Sequence, residues 1–167
     1  MPLLYLLRHA KSSWDDPGLA DRDRPLAPRG RRAAERMAEH LRAHDVRPGL
    51  VLCSPAVRAR QTLAAVTAAL GDPPTTVEDG LYGGEPEHVV ARLREVPDTT
   101  EAVMVIGHDP TLQDLALELA GGGDDLPRLR EKLPTGALAT LAFEGSWRDL
   151  APGRATLEAF VVPRDLR

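Results

Sequence analysis

Two histidines and two arginines stand out in this chain for the chemistry they could do: Arg8, His9, Arg58 and His108, each next to a short apolar run. A neutral imidazole attacks phosphorus through one ring nitrogen while a hydrogen-bond partner holds the other. Guanidinium groups pair with the oxygens of a phosphoryl group and stabilise the charge it spreads during transfer. Taken singly, each residue has an ordinary reading. Arg8-His9 is a surface corner, His108 a satisfied core histidine, and Arg58 a solvated helix arginine with Arg60 two residues on. Their shared significance rests on the elements that carry them.

Leu3 to Leu7 is a continuous apolar run, too short for a helix and suited to a strand buried on both faces. Residues 15–30, rich in Pro, Gly and charge, read as a loop. Pro28 opens a helix over about 28–44, with Ala33, Ala34, Met37, Ala38 and Leu41 at helical spacing. A second strand runs from Leu50 to Cys53; Ser54 as cap and Pro55 as first residue predict a helix from 55 to about 70. Thr75 to Val77 is a weak third strand, and a helix follows over about 86–95. Ala102 to Ile106 is the clearest buried strand, and 110–120 is another amphipathic helix. Residues 121–136 read as a loop with one short helical turn; Ala137 to Phe143 and Ala155 to Val162 close the chain as paired strands. The repeated strand-then-helix order predicts an α/β three-layer sandwich with a mostly parallel central sheet.

In such a sheet, ligands bind beyond the carboxyl ends of the strands. The first strand ends in Arg8-His9, the second leads through Ser54-Pro55 to Arg58, and Ala102 to Ile106 leads into Gly107-His108-Asp109-Pro110. Helix N-termini beside them add N–H groups and partial positive charge. The combination is an anion site, with phosphate the natural anion. Two cations and a second histidine disfavour the charged form of His9, which is expected to be neutral near neutral pH. Charge fixed in this way positions a phosphoryl group without a metal or other cofactor.

Length and composition bound the alternatives. A chain of 167 residues suits one domain, residues 1–167, and 43% apolar with 28% charged residues is a globular composition. A net charge of −4 leaves no basic field of the size a nucleic-acid backbone needs. The one cysteine, Cys53, excludes an internal disulfide and reads as a packed small side chain. The opening apolar run is cut by Arg8-His9, well short of the roughly twenty residues of a membrane span. A cytoplasmic protein without membrane or nucleic-acid partners is expected, with its oligomeric state open. His40 and His44 have metal-ligand spacing but no third ligand, and they read, like His88, as solvated surface. Trp14 either rims the pocket or packs, and Lys11 reads as a flexible surface lysine.

The runs Leu6-Leu7-Arg8-His9-Ala10-Lys11-Ser12, Ser54-Pro55-Ala56-Val57-Arg58-Ala59-Arg60-Gln61-Thr62 and Val105-Ile106-Gly107-His108-Asp109-Pro110 resemble the histidine phosphatase superfamily. Within it the chain is similar to the short bacterial phosphohistidine phosphatases. Asp23-Arg24-Pro25-Leu26, Arg29-Gly30, Pro134-Thr135-Gly136-Ala137, Trp147 and Pro163-Arg164-Asp165 extend the resemblance along most of the chain. It implies a phosphoglycerate-mutase-like fold and a metal-independent reaction. It also implies His9 as the nucleophile of a phosphohistidine intermediate, with Arg8, Arg58 and His108 completing the phosphate pocket.

Three positions depart from the family pattern. Ala10 replaces a glycine, which is harmless. Asp15 stands where many relatives carry a phosphate-contacting asparagine; a carboxylate there would repel phosphate, so Asp15 is expected to face solvent. Leu81-Tyr82-Gly83 places glycine where ester-cleaving relatives carry a proton-donating glutamate. A positioned acid gives typically about 10²–10⁴-fold on an ester. The P–N bond of phosphohistidine is labile, and its imidazole can be protonated before it departs. Short loops also leave a shallow site that admits a protein side chain. The expected partner is therefore a protein bearing phosphohistidine, such as a phosphotransfer domain. The alternatives are a small phosphate ester such as a sugar phosphate, with Glu78, Asp79 or Glu85 as substitute acid, and a non-catalytic phosphate- or phosphoprotein-binding module.

Overall fold

The computed structural model describes residues 1–166. Its elements are β1 (Leu3–Arg8), α1 (Pro28–Ala43), β2 (Leu50–Cys53), α2 (Val57–Val66), β3 (Thr75–Val77) and α3 (Pro86–Leu93), then β4 (Ala102–Gly107), α4 (Thr111–Leu119), β5 (Ala120–Gly122), α5 (Leu126–Glu131), β6 (Leu138–Phe143) and β7 (Ala155–Val161). The seven strands form one sheet in the order β3-β2-β4-β1-β6-β7-β5. β1, β2, β3 and β4 pair in parallel, and β6 pairs antiparallel with both β1 and β7. No helix among the described residues is long and apolar enough to cross a membrane.

The apolar runs explain the three layers. Side chains alternate across a strand, so a strand covered on both faces must be apolar at every position. Leu4 and Leu6 of β1, with Val103 and Val105 of β4, pack on one face against Val89 and Leu93 of α3 and Leu112 and Leu115 of α4. Tyr5, Leu7, Met104 and Ile106 pack on the other face against Met37 and Leu41 of α1 and Ala59 and Val66 of α2. Each fully buried leucine or isoleucine stabilises by about 1.5–3 kcal/mol relative to exposure.

Two expectations need correction. The helix expected from 55 to about 70 begins at Val57 and ends at Val66, with Ala56 at its N-cap position and no side-chain cap, so Ser54 does not cap it. The stretch 121–136 is not a plain loop: it holds the end of β5 and the whole of α5. β5 escapes pattern reading because Ala-Gly-Gly has no β propensity. Its small residues instead allow close approach: a Cβ on Gly121 would stand 2.5 Å from the carbonyl oxygen of Gly153.

The segment following His9 is braced by α1. Ala27 N donates to Lys11 O at 2.9 Å, Ser12 and Leu26 form a β-bridge, and a Cβ on Gly30 would run into the Lys11 carbonyl. Gly30 lets the first turn of α1 lie directly on this backbone. Gly30→Ala is therefore expected to cost about 1–3 kcal/mol in urea unfolding, as overpacking does. It should also lower turnover, because residues 10–12 must shift; unchanged unfolding and unchanged kcat would contradict this packing.

Candidate active site

The β1–β4 ladder carries the site. Arg8 is in register with Gly107, and His9 N donates to Gly107 O at 3.0 Å, extending the pairing one residue beyond β1. On the other side of β4, Ser54 N donates to Ile106 O at 3.0 Å. His9, Ser54 and His108 are thereby delivered to one edge, and the two imidazole rings lie 5.1 Å apart, centroid to centroid. The first turn of α2 adds Arg58. A cavity of about 680 Å³ is lined by all four expected residues, Arg8, His9, Arg58 and His108, together with Asp21, Tyr82 and Asp109.

His9 is 6% exposed, and its Nδ1 donates to the carbonyl oxygen of Ala10 at 2.7 Å. A carbonyl only accepts, so the ring proton sits on Nδ1 and Nε2 carries the lone pair. Burial pushes the His9 pKa down to about 3, with His108, Arg58 and Arg8 adding to the depression and the Ala10 hydrogen bond opposing it. The neutral form expected from the sequence is present. Its chief cause is loss of water rather than neighbouring charge. His108 is lowered to about 4, again first by burial and then by Arg58.

The arginines are held by groups that the sequence did not single out. Arg58 donates through NH1 to Asp21 O at 2.7 Å and through NH2 to Asp21 Oδ2 at 3.0 Å. Tyr82 OH donates to the same Oδ2 at 2.7 Å, and Arg24 Nε to Oδ1 at 3.2 Å. These donors, Tyr82 foremost, hold the Asp21 pKa down to about 2. Arg8 donates through NH1 to Leu133 O at 2.8 Å, with Asp109 Oδ2 3.8 Å away. Ser54 Oγ and His108 Nε2 share a hydrogen bond of 2.7 Å. Asp21 sits in the polar loop before α1, where nothing in the local pattern separates it from Asp16 or Asp23.

Among the described residues, three buried side-chain polar atoms have no hydrogen-bond partner: Arg8 Nε, Arg58 Nε and His108 Nδ1. All three belong to residues lining the cavity. An unpaired buried polar group costs about 1–3 kcal/mol, and all three fall on the two arginines and one histidine that border the cavity.

The carboxylates sort by position. Glu78 is tied to Arg92 Nε at 2.8 Å and Asp79 is exposed near Arg22; neither lines the cavity, whereas Glu85 does. Asp15 is exposed and outside the cavity. Asp109 lines it, with its pKa raised by burial against the opposing pull of Arg8. Trp14, 72% exposed, lies on the cavity wall with the Arg24 guanidinium 3.5 Å from its ring centroid. Lys11 is exposed and also lines the wall. His40 and His44 stack on each other at 4.1 Å, and Cys53 is buried, its thiol pushed up to about 12 by desolvation.

Residues 4–82 match the family model of the histidine phosphatase superfamily, branch 1. A solved structure from Agrobacterium tumefaciens, described as a candidate phosphohistidine phosphatase SixA, superposes with a TM-score of 0.84 at 32% identity, covering 98% of this chain and 99% of that one. The chain belongs to the histidine phosphatase superfamily. It is a phosphatase with the phosphoglycerate-mutase-like fold of that superfamily. A protein histidine phosphatase SixA solved with tungstate has a TM-score of 0.82 at 27% identity, with 99% of each chain covered. An uncharacterized protein of Mycobacterium tuberculosis is 44% identical over 162 residues, 95% of this chain and 100% of its own length.

Two outcomes follow from this histidine phosphatase geometry. Unfolded histidines bind a proton near pH 6.5, while His9 and His108 stay neutral in the fold down to about 3 and 4. The unfolded state therefore binds more protons in that window, and stability falls as pH drops from 6.5 toward 4. Urea unfolding across that range should show a shallower pH slope in His9→Asn/His108→Asn than in wild type; an equal slope would contradict the buried neutral pair. Asp21→Asn is expected to lower kcat/KM by about 10- to 100-fold through misplacement of Arg58, with the fold retained. Unchanged steady-state kinetics would remove Asp21 from that role.

Proposed function

We propose that this phosphatase removes the phosphoryl group of phosphohistidine in a protein, through a covalent intermediate on His9. The observation that carries the substrate class is the disposition of the carboxylates. Gly83 stands where an acid would serve an ester, Glu78 is paired with Arg92, and Asp79 lies outside the cavity. Of the candidate substitute acids only Glu85 reaches the wall, where Arg8, Arg24 and Arg58 gather, and such a pocket suits a leaving group that departs without a positioned acid. The candidate SixA assignment of the Agrobacterium protein and the tungstate held by its relative, an oxyanion shaped like phosphate, support the same reading.

His9 Nε2 attacks phosphorus and the P–N bond to the substrate imidazole breaks. That imidazole, protonated beforehand on its other nitrogen, leaves neutral. The His9 ring then carries phosphorus on Nε2 and a proton on Nδ1, a cation held by the Ala10 carbonyl. Water attacks this phosphorus and the P–Nε2 bond breaks, releasing phosphate and a proton and returning His9 as neutral imidazole. Arg8, Arg58 and His108 stabilise the equatorial oxygens in both halves. Acting on such a substrate would give the protein a role in signal transduction in the cytoplasm.

A second reading, hydrolysis of small phosphate esters, is favoured by one observation. Asp109 lines the cavity with its pKa raised by burial, and Glu85 lines it as well, so two carboxyls border the site from which an ester leaving group would depart.

The two readings separate in rate assays run in EDTA with wild type, His9→Ala and Arg58→Ala. A phosphohistidine-bearing protein should be turned over at least about 100-fold faster than an aryl phosphate. His9→Ala should abolish turnover, and Arg58→Ala should lower kcat by about 10²–10³-fold. Aryl phosphate cleaved equally well, with loss of that activity in Asp109→Asn, would establish the ester reading instead.

A further inference from the structure

Lys11 and Thr135 line the phosphate cavity and also a neighbouring groove of about 760 Å³. Among the described residues, seven basic side chains border this groove against one acidic side chain, Glu131. In a chain of net charge −4, this is a marked segregation of charge. Arg29, Arg32 and Arg36 lie at i, i+3 and i+7 on α1, so they form one exposed stripe about 10 Å long. The nearby acids of the same helix, Glu35 and Glu39, lie outside the groove. Arg128, Lys132 and Arg164 also line it. Arg128 is engaged by Asp165 at 3.3 Å and Asp125 at 3.6 Å. Among the described residues, Arg29, Arg32, Arg36, Lys11 and Lys132 have no ion-pair partner.

We propose that this groove docks an acidic face of the phosphohistidine-bearing protein, beside the residue being dephosphorylated. The inference rests on the substrate class proposed above and adds the surface that recognises it. A stripe about 10 Å long, with further cations on neighbouring segments, exceeds what one phosphate group engages. It fits a row of carboxylates on a folded partner. Nucleic acid fits less well: Phe160, the one aromatic residue lining the groove among the described residues, is 5% exposed and offers no stacking face. The acidic remainder of the surface also repels a continuous phosphate backbone. Charges at the rim of an interface act chiefly on encounter and on its salt dependence.

The test compares wild type with Arg32→Glu/Arg36→Glu, two exposed positions outside the phosphate cavity. The probes are a phosphotransfer domain phosphorylated on histidine, with carboxylates flanking that residue, and free phosphohistidine. At low salt, kcat/KM for the phosphodomain is expected to fall about 10-fold or more through KM, and its salt dependence to flatten. Turnover of free phosphohistidine should be unchanged, which also reports an intact fold. Unaltered kinetics on the phosphodomain, with robust wild-type turnover, would overturn the docking surface and leave the substrate class standing. A wild-type enzyme that cleaves aryl phosphate but neither phosphohistidine probe would overturn the substrate class and the docking with it. Charge reversal that abolishes oligonucleotide retention while sparing phosphodomain kinetics would assign the groove to nucleic acid.

Discussion

The backbone N–H of His9 donates to the carbonyl oxygen of Gly107, one step past the last in-register pair of β1 and β4. That extension of a parallel ladder places His9 beside His108, and the rest of the site is arranged around the pair. β1 can sit at this central position because its apolar side chains satisfy both helical layers at once. β1 connects onward through α1 on one face of the sheet and β4 through α4 on the other, and the crevice between the carboxyl ends of two such neighbouring strands is where sheets of this class bind ligands. Loops and helices then add to an edge whose position is already set by the core.

Burial does two opposed things at this edge. It keeps His9 and His108 neutral, which suits a nucleophile and a hydrogen-bonding neighbour. It also makes the arginines costly unless they are paired. The structure meets that cost by giving each guanidinium a protein acceptor on one side while leaving Nε without one. Arg58 leans on Asp21 and Arg8 on Leu133 O. The Asp21 carboxylate is fixed in turn by Tyr82 and Arg24, so a residue 37 positions before Arg58 controls its aim. The positive field at the cavity is therefore preorganised, the condition under which electrostatic stabilisation of a transferring phosphoryl group is most effective.

Arg8, His9, Arg58 and His108 were legible in the sequence because each ends, directly follows, or lies one helical turn beyond a strand announced by its apolar run. Buried parallel strands leave that mark through composition alone, and the carboxyl-end rule converts it into position. The neutrality of His9 was legible too, although charge repulsion stood in for desolvation, which depends on packing that no local pattern encodes. Ser54, by contrast, has the residue type and spacing of a cap, yet it serves as a partner to His108 across the sheet. β5 was hidden because Ala-Gly-Gly has no pattern to read. Its pairing with β7 brings Gly121 against the carbonyl of Gly153, in the turn before β7, where a side chain has no room.

By itself, then, the sequence determined the alternation of buried strands and amphipathic helices and, through it, which histidines and arginines share an edge. Those features are local in the chain, set by side-chain period and by the residue that ends each strand. Tertiary structure alone decided which groups hold the arginines, which carboxylates reach the cavity and how the basic residues gather into one groove. Asp21, Tyr82 and Arg58, or Arg36 of α1 and Arg128 of α5, come from separate elements whose distances are set only when the helices dock on the sheet. A hydrogen bond or a desolvated charge exists only in that docked geometry, so no window of the sequence contains it.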